Sequence, residues 1–387
     1  MPRFLLLYAL AWAGAAIAYV PFLSILLPGR VAGLAGPADV SWLAYIAFAG
    51  ALAASVGHIA FGYFSDITGN RRGWIWAGLI LSCGLLFAVS HARDLATLIT
   101  LIVGWQLALN MMLAPLAALA GDHVPDGTKG LLGGLMAFAP GLGALSGAAV
   151  TIPGLAHPDT RLALVAGIVA CCVIPVLLVR LPPRVPDPAP SVEADASGPR
   201  SLWQGAMPRM WLARLAVQIA EAALFAYLFV WLRTIDPAIS DNQTARVFSA
   251  VLILSAPLAL LAGRWADRRE RPLLPLVFCA GISACGLGAM AFSGSLSLAI
   301  AAYAVFGVAS SAFLALHSAQ TLRVLPRSDR RGRDLGLFNL TNTLPSLIMP
   351  WLTLALVPWF GFAGLFAVFA ALALAAGLLL VPLTRRT

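Results

Sequence analysis

FGYFSDITGNRRGW, residues 61–74, is the most polar stretch in the first 90 residues and joins two long apolar segments. A counterpart, LAGRWADRRERP, occupies residues 261–272. Three pairs of landmark residues keep one offset of 201 positions: Gly62 with Gly263, Asp66 with Asp267, and Pro125 with Pro326. A single offset shared by three landmarks indicates that the chain arose by an internal duplication of one half.

The composition of the chain places it in a membrane. Hydrophobic residues make up 60% and charged residues 11%, with a mean hydropathy of +0.89, whereas a soluble domain averages about 25% charged residues. Several apolar runs exceed the roughly 20 residues that a helix needs to cross a bilayer core. Helices are expected because every backbone polar group must be satisfied internally. We therefore predict an all-α, multi-pass integral membrane protein.

Twelve apolar segments are predicted along the chain. They span about 4–28, 39–64, 73–90, 95–120, 129–152, 161–181, 208–232, 243–263, 272–293, 295–322, 335–359 and 361–383. Residues 182–207 are rich in Pro, Ser and acidic side chains, which favours a cytoplasmic linker. The expected organisation is an N-terminal six-helix bundle at 1–181, this linker at 182–207, and a C-terminal six-helix bundle at 208–387.

Charge placement predicts the orientation and argues against a nucleic-acid partner. With the N-terminus in the cytoplasm, nineteen of the 25 Lys and Arg residues fall on the inner side, five on the outer side, and Arg214 within a helix. This asymmetry in short loops is the positive-inside pattern, and it accounts for the net charge of +9. We expect a cytoplasmic (inner) membrane protein with both termini inside, and a monomer is favoured.

The duplicated loops resemble the signature of the major facilitator superfamily. The first copy consists of Gly62, Asp66, Gly69, Arg71 and Arg72; the second of Gly263, Asp267, Arg268, Arg269 and Arg271. The family usually has a basic residue where this chain has Ile67. The resemblance implies two pseudo-symmetric six-helix bundles and a loop that acts as a conformational latch. The alternative interpretation is a positive-inside turn capped by Asp.

Two branches of that family share weaker features with this chain. SDITGNRRGW, residues 65–74, is similar to a loop of the glycoside–cation symporters, although the second segment carries no acid for a sodium site. LLGGLMAFAPGLGALSG, residues 131–147, loosely resembles a Gly/Pro-rich motif of drug antiporters. A sugar-like or glycoside-like solute and a multidrug substrate both remain open.

Glu221 is the one acidic residue in the middle of a predicted spanning segment. A charge at the bilayer centre costs about 2.5–3.5 kcal/mol on insertion scales, so it is not expected to face lipid unpartnered. Proton coupling is one interpretation and a structural hydrogen bond between helices is the other. Arg214 and Gln218 share its helix face, at spacing i, i+4, i+7. They are candidate substrate ligands, although Arg214 also suits snorkelling to the inner interface.

Other candidates lie on the segments that the resemblance implies line a central cavity, the first, fourth, seventh and tenth. His317 on the tenth is a candidate proton-relay partner of Glu221, or a packing residue. Substrate-binding candidates elsewhere are aromatic or amide side chains with a helix-packing alternative: Tyr8, Trp12, Tyr19, Gln106 and Asn110.

The predicted function is secondary active transport of a small organic solute, coupled to protons, by rocker-switch alternating access. The rival classes are a membrane enzyme and a channel. The five His are isolated in the sequence, and no nucleotide-binding Gly-rich loop with Lys is present. We expect no metal, no cofactor and no enzymatic reaction; the partners are the solute, protons and the lipid bilayer.

Overall fold

The computed structural model describes residues 2–184, 206–268, 273–324 and 331–384, with the side chains at 126–127, 129–130, 266–267, 319, 321–324 and 331–340 left aside. This part of the chain is helical and contains no strand. Its α-helices are α1 Pro2–Pro21, α2 Leu27–Ala35, α3 Asp39–Thr68, α4 Arg71–Val89, α5 Leu95–His123, α6 Asp126–Met136, α7 Ala139–Val150, α8 Pro158–Leu178, α9 Met207–Ile235, α10 Asp241–Arg268, α11 Leu274–Ala291, α12 Leu296–Val324 and α13 Arg331–Thr384.

Ten helical stretches in the described residues are long and apolar enough to cross a membrane. Eight coincide with one predicted segment each, while Pro2–Thr68 and Thr341–Thr384 contain two each. A straight helix of 67 residues would measure about 100 Å at 1.5 Å per residue, far beyond a bilayer core of about 30 Å. The breaks lie at the 3₁₀ turn Gly36–Ala38 and at Gly361, whose φ is 63°.

The chain forms two compact units. The first comprises residues 1–188 and 240–249, and the second comprises 189–239 and 250–387. The first turns of α10 therefore belong to the first unit. There Arg161 pairs with Asp241, and Asn242 Nδ2 donates to the Ala148 carbonyl at 2.8 Å and to Thr151 Oγ1 at 3.1 Å.

Helix packing inside the second unit repeats the packing inside the first. In the first unit α1 packs on α7 and α8, α4 on α5, and α4 on α8. In the second unit α9 packs on α13, α11 on α12, and α11 on α13. These pairs correspond when α13 is counted as the last two predicted segments. The repeated packing agrees with the duplication that the 201-residue offset indicates.

Small residues lie at the closest helix contacts. This is expected in a bilayer, where the hydrophobic effect does not drive helices together and association depends on close packing. A Cβ added at Gly78 of α4 would lie 2.4 Å from the Met112 nitrogen of α5. A Cβ added at Gly286 of α11 would lie 2.7 Å from the Phe306 nitrogen of α12. Backbone touches backbone at both places, which fixes the register of each helix pair.

Candidate transport site and gating motif

The first signature loop is a tight, capped turn between α3 and α4. Gly69 ends α3 with a left-handed φ of 62°, a conformation that favours glycine. The Asn70 side chain then caps α4 by accepting from the Gly73 N–H at 3.0 Å. Trp74 Nε1 donates to Thr68 Oγ1 at 2.8 Å, which closes the turn.

Arg71 is the centre of an ion network at this turn. Its Nη1 donates to Asp66 Oδ1 at 2.5 Å and to Ser65 Oγ at 2.8 Å. Its Nε donates to Asp122 Oδ2, in the last turn of α5, at 2.9 Å. Arg184 lies 3.7 Å from the same Asp122 oxygen. The network ties α3, α4 and α5 together at one end of the first unit.

Contacts from side chains to backbone carbonyls extend this network to residues after α8. Arg72 donates to the Val179 carbonyl, and a His123 ring nitrogen lies 2.7 Å from the Pro182 carbonyl. The start of the predicted linker is therefore held against the ends of α4 and α5. A latch built here involves the chain that leaves the first bundle as well as the signature loop.

The residues of the signature make different kinds of contact in the structure. Asp66 pairs with the loop arginine Arg71, and Gly69 supplies the positive φ. A Cβ at Gly62 would meet Ala114 at an ordinary 3.9 Å, so no close helix approach depends on Gly62 here. At Gly263 the added Cβ would lie 3.3 Å from Leu316 Cδ2.

The remaining members of the second copy are less fully placed. Arg268 is exposed at the end of α10. The Asp267 side chain, Arg269 and Arg271 lie outside the described residues.

Arg214, Gln218 and Glu221 form a polar stripe along α9. This stripe faces α12 and α13. Arg214 Nη1 donates to Ser318 Oγ at 2.8 Å and, more weakly, to the Leu314 carbonyl at 3.4 Å. Arg214 Nη2 and Gln218 Nε2 share the Oδ1 atom of Asn342, at 3.1 and 2.9 Å. The Arg214 guanidinium group is thus hydrogen-bonded to both α12 and α13. The i, i+4 spacing brings these two side chains to one acceptor.

Glu221 lies one turn further along the same face, half-buried. Ser311 Oγ of α12 lies 3.4 Å from Glu221 Oε1, which is longer than the 2.5–3.0 Å of an ordinary O–H···O bond. The carboxyl group also interacts electrostatically with Arg214 and Tyr303. Glu221 therefore has polar neighbours, but within the described part of the chain no short hydrogen bond holds its carboxyl group in place.

His317 lies on α12 opposite the first turn of α9. Its side chain is fully buried, and Nε2 lies 2.9 Å from the Met210 carbonyl of α9. Its ring lies 5.6 Å from that of Phe313. Arg214 is its charged neighbour. Arg214 is thus a charged neighbour of both His317 and Glu221.

The aromatic candidates of α1 divide into a packed and a more open group. Tyr8 is fully buried, and its hydroxyl donates to the Leu116 carbonyl of α5 at 2.9 Å. Trp12 stacks on it, with ring centroids 6.3 Å apart, but is only half-buried. Tyr19 is half-buried as well. The Tyr8 hydroxyl thus joins α1 to α5, whereas Trp12 and Tyr19 keep accessible surface.

The two amides of α5 are largely buried, Gln106 at 9% and Asn110 at 6% exposure. Asn110 Nδ2 donates to the Gln106 carbonyl at 2.9 Å. Asn110 Oδ1 lies 3.2 Å from His58 Nδ1 on α3. Both polar atoms of Asn110 are therefore engaged within the unit, and the exposed group of this cluster is His58.

Several contributing residues could not be ranked from sequence. Ser65, Asp122 and Arg184 complete the Arg71 network, and Ser311 and Asn342 complete the α9 cluster. Asp122 did carry a signal, because an acid in the last turn of a helix opposes the helix dipole and needs a cation nearby. Asn342 lies on a helix that the family resemblance implies is peripheral to the cavity.

Comparison with known proteins gives a family match for the C-terminal half of the chain. The Major Facilitator Superfamily model matches residues 210–387, while none of the curated proteins matches. Two solved structures are similar to this chain. One is a bacterial homologue of the human lysosomal transporter Spinster, inward-facing and unoccupied, and the other is a D-xylose–proton symporter. Their TM-scores are 0.73 and 0.71, at 16% and 13% identity; the alignments cover 99% and 98% of this chain and 95% and 97% of those chains.

These likenesses and the geometry agree with one another. The C-terminal half carries the family's sequence pattern, and the whole chain has the fold of solved transporters. The two helical units and the charged loop after the second predicted segment are consistent with this match. The sequence match thus relates residues 210–387 to the Major Facilitator Superfamily, and the fold of the whole chain agrees with that match.

Proposed function

We propose that this chain is a secondary transporter of the major facilitator type, that it moves a small hydroxyl-bearing solute of the sugar or glycoside class together with protons, and that Glu221 is the coupling carboxyl group. The cycle is alternating access of the rocker-switch type. Localisation in the cytoplasmic membrane with both termini inside follows from the distribution of Lys and Arg. The observation that carries the proposal is the placement of Glu221, a mid-segment acid among polar side chains.

The geometry around Glu221 suits reversible protonation better than a fixed structural bond. A structural lock would show a short hydrogen bond, whereas the Ser311 hydroxyl lies 3.4 Å away. Arg214 is hydrogen-bonded to neutral acceptors on Ser318 and Asn342. The carboxyl group is thus near a positive charge without being bound tightly to it. Gain or loss of one proton would change the electrostatics of the entire stripe.

A free acceptor in the same stripe supports the solute class. Gln218 Nε2 is bonded to Asn342, but its Oε1 atom is buried without a hydrogen-bond partner in the described part of the chain. A buried unpaired acceptor costs about 1–3 kcal/mol, which a hydroxyl donor from a solute would recover. The D-xylose–proton symporter of similar fold is consistent with such cargo.

An efflux antiporter for amphipathic compounds is the second candidate. Half-buried Trp12 and Tyr19 on α1 would offer faces for stacking a planar drug. Such a substrate would leave the Gln218 acceptor unpaired, so the sugar class is favoured. A dye-efflux assay on the same preparation separates the two candidates.

Uptake into proteoliposomes tests the coupling role. Purified protein is reconstituted, and accumulation of D-xylose and of phenyl glucoside is measured with and without an imposed pH gradient. Glu221→Gln should abolish accumulation above equilibrium, because the amide cannot carry a proton. Exchange of labelled for unlabelled solute, which needs no net proton movement, should survive in part.

Asp94→Asn is the matched control for this experiment. Asp94 lies between α4 and α5, and its hydrogen bond from Thr97 Oγ1, at 2.7 Å, holds its pKa below the ordinary value. Asp94 therefore stays ionised across the neutral range, and Asn caps a helix about as well as Asp. Accumulation should be unchanged in this variant. Normal gradient-driven accumulation by Glu221→Gln would end the coupling proposal.

A further inference from the structure

The amide of Asn110 can be oriented from its own contacts. The nitrogen Nδ2 faces the Gln106 carbonyl at 2.9 Å, and a carbonyl can only accept a hydrogen bond. The opposite orientation would set Oδ1 against that carbonyl oxygen. Asn110 Oδ1 therefore points at His58 Nδ1, 3.2 Å away on α3.

This orientation fixes the tautomer of His58. An amide oxygen is an acceptor only, so the nitrogen that faces it must carry a hydrogen. In the neutral ring, Nδ1 then donates to Asn110 and Nε2 is left as an acceptor with a free lone pair. In a metal or catalytic site, a second group often selects one tautomer in this way.

The surroundings of His58 leave Nε2 open. The His58 side chain is exposed, while its partner Asn110 is 6% exposed. A Cβ added to the neighbouring Gly57 would lie 3.3 Å from Asn110 Cβ, so α3 and α5 are packed closely enough to hold the pair. The only His58 hydrogen bond among the described residues is the one through Nδ1.

We propose that His58 is a solute-binding residue whose Nε2 atom accepts a hydrogen bond from a solute hydroxyl, and that Asn110 is its positioning residue. Asn110 was expected to bind substrate directly, but its polar atoms are already used, and it acts through the ring that it orients. This inference rests on the proposed hydroxyl-bearing solute class. It adds a solute ligand on α3.

Paired substitutions at both positions test the assignment through the KM for D-xylose and phenyl glucoside. His58→Asn keeps a group near Nδ1 but removes Nε2, and should raise KM roughly threefold to tenfold, the loss expected for one hydrogen bond. His58→Gln places an amide near the Nε2 position and should stay close to the unmodified KM. Asn110→Leu should raise KM, and Asn110→Asp, which still accepts from Nδ1, should restore it. Maximal velocity should change little in all four.

Nitrogen-15 NMR of labelled histidine in nanodiscs supplies a readout that needs no His58 or Asn110 variant. The His58 signals are assigned by substituting the other four histidines. The expected result is a protonated Nδ1, and an Nε2 signal that shifts when D-xylose is added. A protonated Nε2, or no shift in the presence of a transported solute, would overturn the assignment.

The outcomes separate this inference from the proposed function. Uptake that occurs with equal KM in every variant leaves the proposed function standing and removes His58 from the site. A loss of maximal velocity with unchanged KM would also reject it, since that pattern belongs to a structural residue. Absence of any sugar uptake by the unmodified protein would reject the proposed solute class and this inference with it.

Discussion

Replacing Asp122 with Asn should loosen the α3–α4 turn much more than replacing Asp66 does, although Arg71 binds both carboxylates. The Asp122 side chain is 22% exposed and lies 2.9 Å from Arg71 Nε. The Asp66 side chain is 62% exposed, at 2.5 Å. The shorter contact is therefore expected to be the weaker one, because water screens it.

The expected free energies follow from exposure. A hydrogen bond to a charged group contributes about 1.5–3 kcal/mol when it is shielded, and Asn would keep one neutral hydrogen bond to Arg71. We therefore expect Asp122→Asn to cost about 1–2 kcal/mol. An exposed ion pair contributes about 0.2–1 kcal/mol, which bounds Asp66→Asn. Since 1.4 kcal/mol is tenfold in an equilibrium constant, local opening should rise roughly tenfold in the first variant and about twofold in the second.

Hydrogen exchange in nanodiscs measures this opening through the amides of residues 65–73. Asp159→Asn is the matched control, because that side chain is 79% exposed and lies 3.6 Å from Arg30, so no change is expected. Transport by Asp122→Asn should show an altered maximal velocity with an unchanged KM, as a latch defect requires. Equal exchange rates in the Asp122 and Asp66 variants would refute the burial argument. A raised KM alone would refute the latch.

Two further predictions concern packing. Gly78→Ala should lower the melting temperature sharply, because the added Cβ would lie 2.4 Å from the Met112 backbone nitrogen; Gly84→Ala on the same helix meets nothing within 4 Å and should be neutral or stabilising by up to about 1 kcal/mol. Similar melting temperatures would contradict the close α4–α5 contact. Tyr8→Phe should lose about 1 kcal/mol of stability, the value of its bond to Leu116, with KM unchanged. A raised KM would return Tyr8 to the solute site.

Much of the fold could be read from local pattern. Apolar runs of spanning length and the 201-residue offset predicted the helices and their repetition, because length and hydropathy are properties of contiguous residues. Gly69 and Asn70 could likewise be read as a helix end and a helix start. Three regions were less regular than predicted. The first segment contains a π-helical turn at Phe22–Leu26, and the fifth segment is divided between α6 and α7, near Pro140. The eleventh and twelfth segments are continuous except at Gly361.

The sequence by itself determined that this chain is a duplicated bundle of membrane helices and that Arg214, Gln218 and Glu221 share one face, since both follow from residue order and helical periodicity. Only the tertiary structure decided what those faces meet. Asp122 reaches Arg71 across 51 positions, Asn110 reaches His58 across 52, and Glu221 lies beside Ser311 across 90. Such pairs depend on the register in which one helix packs against another. That register is set by backbone contacts such as the one at Gly78, which local sequence pattern does not encode.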